Sequence, residues 1–264
     1  MKKIGIVGFG YVGKVINEFF RGTKHEVYQY DPNLITSCSK DKINECDIAY
    51  VCVPTQSNTD GSCNTSLVEE AVDWLQTPIV VIKSTVEPGT TKRLIEKTGK
   101  KIIFSPEFAG ESSYWNPYKC MDSLKEIPFF IFGGEKETCR KLIELYQPIA
   151  GPSKTYRITD STSAELVKYV ENSFFSTKIA FCNEIFDLAT KIGCDWNEVR
   201  ELWILDPRIN SMHTLVFPEN RGFGGKCFPK DTEALLSFSK KIDSKLSILE
   251  SVVESNKRIR KERN

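Results

Sequence analysis

Apolar positions in the first 160 residues fall into short runs separated by stretches of helical spacing. The runs Lys3–Val7, Glu26–Tyr30, Ile48–Val53, Ile79–Lys83, Lys101–Phe104, Phe129–Phe132 and Lys154–Arg157 predict β-strands. Tyr11–Arg21, Ser66–Leu75, Thr90–Lys97 and Glu135–Gln147 predict the helices between them. Strands that alternate with helices imply an α/β fold, a Rossmann-type doubly wound parallel sheet with both faces covered. The pattern changes near Asp160. No Pro or Gly interrupts the chain from there to Lys191, and Gly193 supplies a stop. Leu166, Val170, Phe174, Phe181, Ile185, Leu188 and Ile192 recur at helical spacing, while Val167, Phe175, Ile179, Cys182 and Phe186 lie elsewhere around the same helix. A helix over 160–191, roughly 45 Å long, that is apolar on most sides is covered by the rest of the fold or by another subunit. This predicts a central spine and a homodimer through it. Asp206 to Phe228 predicts an ordered loop, with helices over Asp231–Lys240 and Ser244–Ile259 after it. The expected domains are 1–158, a nucleotide-binding sheet, and 159–264, an α-helical domain built on the long helix.

Charge and composition narrow the partners. With 36 basic and 35 acidic residues the formal net charge is +1, so no basic excess points to nucleic acid. The lysines and apolar run at Met1–Gly8 resemble a leader, but the run is short and glycine-broken and reads as a first strand. No stretch approaches the ~20 apolar residues of a membrane span. Nine cysteines without any Cys-x-x-Cys pair, and two distant histidines, argue against a disulfide framework and against a metal site. Thiols in that number suit a reducing cytoplasm.

Gly8-Phe9-Gly10-Tyr11-Val12-Gly13 follows the first strand and opens a helix. Gly8 permits the tight turn, Gly10 lets backbone approach a pyrophosphate, and Gly13 allows close helix packing; the amides at Tyr11 and Val12 begin a helix whose dipole favours phosphate. Asp31 ends the next strand, where a carboxylate accepts both ribose hydroxyls and repels a 2′-phosphate; no arginine follows it. The pattern predicts NAD rather than NADP.

Chemistry is expected further on. Lys168 and Asn172 are four apart on the long helix and share a face, which suits either a developing oxyanion or a solvated helix edge. Gly222-Phe223-Gly224-Gly225-Lys226-Cys227-Phe228-Pro229-Lys230-Asp231 is less ordinary. Its glycines allow close approach to a ligand, and Cys227 precedes a helix that Asp231 begins. A helix N-terminus, Lys226 and Lys230 all favour thiolate. Asp231 serves as a base or as an N-cap. Buried cysteines are usually structural, so Cys227 is the exception among nine.

These segments together resemble the UDP-glucose/GDP-mannose dehydrogenase family. Val53-Pro54-Thr55 resembles its turn near the nicotinamide, and Lys83-Ser84-Thr85-Val86-Glu87-Pro88-Gly89-Thr90 its Ser-Thr-Val-x-Pro-Gly-Thr segment. Ser105-Pro106-Glu107-Phe108-Ala109-Gly110-Glu111 resembles its substrate segment, and Asp206-Pro207-Arg208-Ile209 the stretch whose arginine reaches the neighbouring subunit's sugar site. The resemblance spans nearly the whole chain, in order. It implies that Gly8, Gly10, Tyr11, Val12, Gly13, Asp31, Thr55, Thr85 and Lys230 hold NAD. It implies that Glu107, Phe108, Glu111, Lys168, Asn172, Arg208, Phe223 and Gly224 contact a UDP-sugar. Cys227, Lys168, Asn172, Asp231, Glu107 and Thr85 are then catalytic, in a four-electron oxidation of UDP-glucose to UDP-glucuronate through a thiohemiacetal and a thioester.

The chain departs from the pattern in four places, one being the loop start Glu219-Asn220-Arg221-Gly222-Phe223, less glycine-rich than is usual. Family members carry a third, C-terminal nucleotide-binding domain, expected to be absent here because the chain ends at Asn264. Lys226 precedes the nucleophile where relatives often have a small or aromatic residue, and Ala109-Gly110 stands where Leu and a larger residue are common. Two other readings compete. A β-hydroxyacid dehydrogenase has a similar plan and Lys/Asn pair, performs a two-electron oxidation and needs no Cys227. A truncated, non-catalytic NAD-binding module is the other.

Overall fold

The computed structural model describes residues 1–109 and 123–261. Glu111 and Cys120 therefore lie outside the described residues. Seven strands form one sheet: β1 (Lys3–Val7), β2 (Glu26–Tyr30), β3 (Ile48–Val51), β4 (Ile79–Ile82), β5 (Ile102–Phe104), β6 (Phe129–Gly133) and β7 (Thr155–Thr159). Their order is β2-β1-β3-β4-β5-β6-β7. Every neighbouring pair is parallel except β5 and β6, which meet antiparallel at Phe104 and Gly133. The fold class is the expected one, with that single departure from a wholly parallel sheet. Apolar runs alone do not distinguish the two directions, because both leave the strand buried on each face.

Alternation along the strands builds two cores. Ile4, Ile6, Ile48, Tyr50, Ile79, Val81, Phe130 and Phe132 bury one face together with Phe19, Phe20, Leu142 and Tyr146. Val7, Ala49, Val51, Val80, Ile82, Ile102 and Phe104 bury the other with Val68, Val72 and Leu94. Helices α1 (Tyr11–Phe20), α2 (Lys40–Asn44), α3 (Ser66–Trp74), α4 (Thr90–Thr98) and α5 (Lys136–Ala150) connect the strands. The short α2 was not expected; its Ser39 side chain caps it by accepting the Lys42 N–H. Pro148 lies inside α5 rather than ending it.

Two compact units emerge, 1–56 with 64–168, and 57–63 with 169–264. The second unit contains most of α6 (Ser161–Lys191), with α7 (Trp196–Trp203), α8 (Phe228–Lys241) and α9 (Ser247–Lys261). Tyr169, Ala180, Phe223, Leu235, Leu236, Leu249 and Val252 form its larger core, and Cys182, Trp196 and Val216 a smaller one. Helix α7 falls in a stretch assigned no element from the sequence, although Asp195 caps it and Trp196, Val199 and Trp203 have helical spacing. Helix α8 begins at Phe228, not at Asp231, and its N-cap is Cys227. Asp231 is thus a first-turn residue and not a cap.

The faces of α6 reverse the usual arrangement. Its buried side carries Ala164, Glu165, Tyr169, Asn172, Ser176, Ala180 and Asn183, mostly small or polar. Its large apolar residues stand outside: Leu166, Val170, Phe174, Phe181, Leu188 and Ile192 are 40–67% exposed. The described residues leave this stripe exposed, which leaves the second of the two expected covers, another subunit. No helix among the described residues is long and apolar enough to cross a membrane.

Candidate active site

In the first unit the sheet order reverses around β1, which lies between β2 and β3. Ligands of doubly wound sheets bind beyond the strand C-termini at such a point. Gly8 leaves β1 there at φ 88°, and a Cβ on it would sit 2.7 Å from the Cys52 carbonyl oxygen. A Cβ on Gly13 would be 2.2 Å from the Gly8 carbonyl oxygen, so α1 approaches the turn closely only as glycine. Gly10, the N-cap of α1, has nothing within 4 Å of a built Cβ. Open space above a helix N-terminus fits a dinucleotide pyrophosphate. Tyr11 and Val12, half-buried, start the helix beside it.

Asp31 accepts the Phe9 N–H on Oδ2 at 2.8 Å and the Asn33 N–H on Oδ1 at 2.9 Å. The Phe9 donor, then Asn33, holds its carboxyl below the usual carboxylate range. The acid is therefore ionised beside the glycine turn, as ribose binding needs.

Thr55 is buried beyond β3, and Thr85 is half-buried beyond β4. Ser84 Oγ donates to the Val53 carbonyl at 2.7 Å and so ties these two segments together. Beneath them lies an ion pair that sequence reasoning left without a role. Lys83 Nζ is 3.2 Å from Glu107 Oε2, with the side chains 2% and 7% exposed. The ammonium also reaches the Pro106 carbonyl at 3.2 Å and Ser105 Oγ at 3.5 Å. Glu107 Oε1 accepts the N–H groups of Phe108 and Ala109 at 2.9 and 2.7 Å. Lys168 Nζ lies over the Phe108 ring, 5.3 Å from its centroid. Glu165, one turn earlier on α6, accepts the Gly89 and Thr91 N–H groups at 2.6 and 2.8 Å. It thereby caps α4 from outside that helix, and burial pushes its carboxyl up.

In the second unit Asn172 Nδ2 donates to Asp231 Oδ2 at 2.5 Å, both side chains being buried. Lys230 pairs with the other Asp231 oxygen. Cys227 is exposed at the α8 N-terminus, and its carbonyl accepts the Asp231 N–H at 2.9 Å. Thiol and carboxylate thus occupy one helical turn, with the acid fixed by a side chain 59 residues away. Phe223 points its ring into the core, and Gly224 follows it in the loop. Arg208 is 86% exposed and folded back onto Asp206, Nη2 to Oδ2 at 2.5 Å. Among the described residues no group of three His, Cys, Asp or Glu side chains could hold a metal ion.

Comparisons with known proteins give the family. Residues 29–150 match the UDP-glucose/GDP-mannose dehydrogenase family, NAD binding domain, and residues 162–258 match the same family's central domain. The UDP-glucose 6-dehydrogenase of Rickettsia bellii is 34% identical over 94% of this chain and 56% of its own length. UDP-glucose 6-dehydrogenase TuaD of Bacillus subtilis is 29% identical over 98% of this chain and 64% of its own. The chain thus spans about half to two thirds of the curated relatives it matches. A UDP-glucose dehydrogenase structure from Pyrobaculum islandicum superposes with a TM-score of 0.83 at 26% identity, covering 98% of this chain and 68% of that one. A Mycobacterium tuberculosis 3-hydroxyisobutyrate dehydrogenase reaches a TM-score of 0.71 at 15% identity, a likeness of fold alone. Two successive domain matches, with the glycine turn and Asp31 in place, make the chain a member of the UDP-glucose/GDP-mannose dehydrogenase family.

Proposed function

We propose that this chain carries out the NAD-dependent four-electron oxidation of the C6 primary alcohol of a UDP-sugar, UDP-glucose to UDP-glucuronate. The observation that carries the reading is Cys227, exposed at the N-cap of α8, with the Asn172–Asp231 pair in the first turn after it. The domains are 1–158 for NAD and 159–264 for the catalytic loop. Gly8, Gly10, Tyr11, Val12, Gly13 and Asp31 hold the dinucleotide, with Thr55, Thr85 and Lys230 toward its nicotinamide end. When bound there, NAD would supply the hydride acceptor, one NAD molecule for each of the two oxidations.

Lys168 and Asn172 donate to the C6 oxygen as negative charge grows on it. In the first oxidation the hydroxyl proton passes to Asp231 and on to solvent, leaving an aldehyde. Cys227 Sγ adds to its carbon as the thiol proton passes to the carbonyl oxygen. The resulting thiohemiacetal keeps the aldehyde from escaping. Its oxidation leaves a thioester, and water attacks the carbonyl carbon, expelling the Cys227 thiolate and giving the carboxylate. Asp231 takes the proton of the attacking water. Glu107, whose oxygens already receive two amides and the Lys83 ammonium, suits a fixed carboxylate that shapes the substrate segment with Phe108. Glu111, Arg208, Phe223 and Gly224 are the remaining proposed sugar contacts.

The exposed stripe on α6 supports a homodimer, because six large apolar residues on one face call for a second surface. Thiols at all eight described cysteines support a cytoplasmic location. A two-electron hydroxyacid oxidation, which needs no Cys227, is the second reading. Counting NADH formed per UDP-glucose consumed separates the two. Two NADH supports the thioester route. One NADH, or none with UDP-glucose alongside turnover of a 3-hydroxy acid, contradicts it.

A further inference from the structure

The segment before Cys227 has no regular structure from Arg221 to Cys227, yet side chains of two helices tie it down. Asn256, on α9, accepts the Phe223 N–H on Oδ1 at 2.7 Å and donates Nδ2 to the Phe223 carbonyl at 3.0 Å. One side-chain amide thus satisfies both polar groups of one residue, as a neighbouring strand would. Asn183, on α6, accepts the Gly222 N–H at 3.1 Å. The two asparagines are 6% and 2% exposed. Asn256 lies on the α9 face that also buries Leu249, Val252 and Ile259, a position where an apolar residue is the ordinary choice. A buried amide there is tolerated because its hydrogen bonds are made, and both go to the loop.

The glycines follow from the same contact. A Cβ on Gly222, which has φ 72°, would lie 2.4 Å from Asn256 Oδ1, and one on Gly224 would lie 2.9 Å from the Arg260 guanidinium. Both glycines therefore serve the approach of α9 to the loop. Gly225 differs, since a Cβ there meets nothing within 4 Å. At its far end the loop is fixed again, where the Cys227 carbonyl accepts the Asp231 N–H. Only Gly224, Gly225 and Lys226 separate the clamped Phe223 from Cys227.

We propose that Asn256 is a positioning residue for Cys227, holding the Phe223 peptide so that the thiol stays at the first turn of α8. There the helix N-terminus favours the thiolate. The inference rests on the reading of Cys227 as the nucleophile. A merely structural asparagine would lower stability and leave the chemistry of Cys227 unchanged.

The test follows iodoacetamide alkylation of the full 264-residue chain, peptide by peptide, between about pH 5 and 10. Cys194, also exposed, serves as the internal reference. In the native chain Cys227 reacts faster than Cys194 at neutral pH. Asn256→Asp keeps an acceptor for the Phe223 N–H but turns an oxygen toward the Phe223 carbonyl; Asn256→Leu removes both bonds. In each, Cys227 slows about tenfold at pH 7 and its midpoint rises by about one unit, while Cys194 is unchanged. If Asn256→Leu does not fold, Asn256→Asp decides. A folded Asn256→Asp chain with the native Cys227 rate and midpoint overturns the inference alone. A native Cys227 no faster than Cys194 overturns the nucleophile reading and the inference with it.

Discussion

Lys83→Met removes an ammonium that forms an ion pair with Glu107 Oε2 at 3.2 Å and donates to Pro106 O at 3.2 Å and Ser105 Oγ at 3.5 Å. Methionine keeps the unbranched stem and its packing. The Glu107 carboxylate then stays buried with Oε1 still receiving two amides and Oε2 receiving nothing. Breaking one side of a buried pair costs about 3–5 kcal/mol, and the two surviving amide bonds place this variant near the lower end. Glu107→Gln should cost a similar amount, because it strands the ammonium with two neutral acceptors. The double variant strands neither charge, so it should lie within about 2 kcal/mol of the native chain. Urea unfolding of the four proteins, followed by far-UV circular dichroism, gives the coupling energy. A coupling under about 0.5 kcal/mol refutes the claim that these two side chains depend on each other.

Three further outcomes are expected. Gly10→Ala should leave the melting temperature unchanged while weakening NAD binding at least about tenfold, because its Cβ meets open space at the proposed pyrophosphate site; Gly13→Ala, with a Cβ 2.2 Å from the Gly8 carbonyl, should lose about 1–3 kcal/mol of stability. Calorimetry of unfolding and of NAD binding reads both, and equal effects of the two variants would contradict the assignment. Burial, with Lys178 adding to it, pushes His213 from the ordinary 6.5 to about 4, its ring lying 4.4 Å from that of Phe175 and 5.5 Å from that of Phe228. The folded chain thus binds this proton more weakly than the unfolded one, and the contribution of His213 is full above about pH 6.5 and is lost as the pH falls toward 4. His213→Asn, which accepts the φ of 64°, should flatten the fall in melting temperature across that window; an identical fall sinks the reasoning. Val170→Glu with Phe174→Glu charges the exposed stripe and should turn a dimer into a monomer in sedimentation, whereas a native chain that sediments as a monomer at micromolar concentration removes the dimer.

The parts legible in the sequence are those with local causes. Strands such as Ile48–Val51 and Ile79–Ile82 announce themselves as apolar runs because both their faces are buried. The turn at Gly8, Gly10 and Gly13 is readable because each glycine answers a neighbour within the same strand–turn–helix unit or on the adjoining strand. What stayed hidden depends on partners distant in sequence. The sequence reads Asp231 as a base or an N-cap without showing that Asn172 holds it, and Lys83 as a strand end without showing Glu107 beside it. Phe223 and Asn256 are 33 residues apart, and no period joins them. The one available signal was Asn256 itself, a polar residue in the apolar stripe of α9. Helix α6 was legible as an element, but which of its two expected covers applies was not. Periodicity shows that a face is apolar, and it does not show whether the chain's own core or a second surface covers that face.

The most direct test of the account replaces Cys227 with serine and counts NADH formed per UDP-glucose consumed, with NAD binding measured alongside. The native chain should form two NADH per UDP-glucose. Cys227→Ser should bind NAD as the native chain does yet fail to complete the second oxidation, because no sulfur captures the aldehyde. Two NADH per UDP-glucose at the native rate from Cys227→Ser would contradict the thioester route and remove Cys227 from the chemistry.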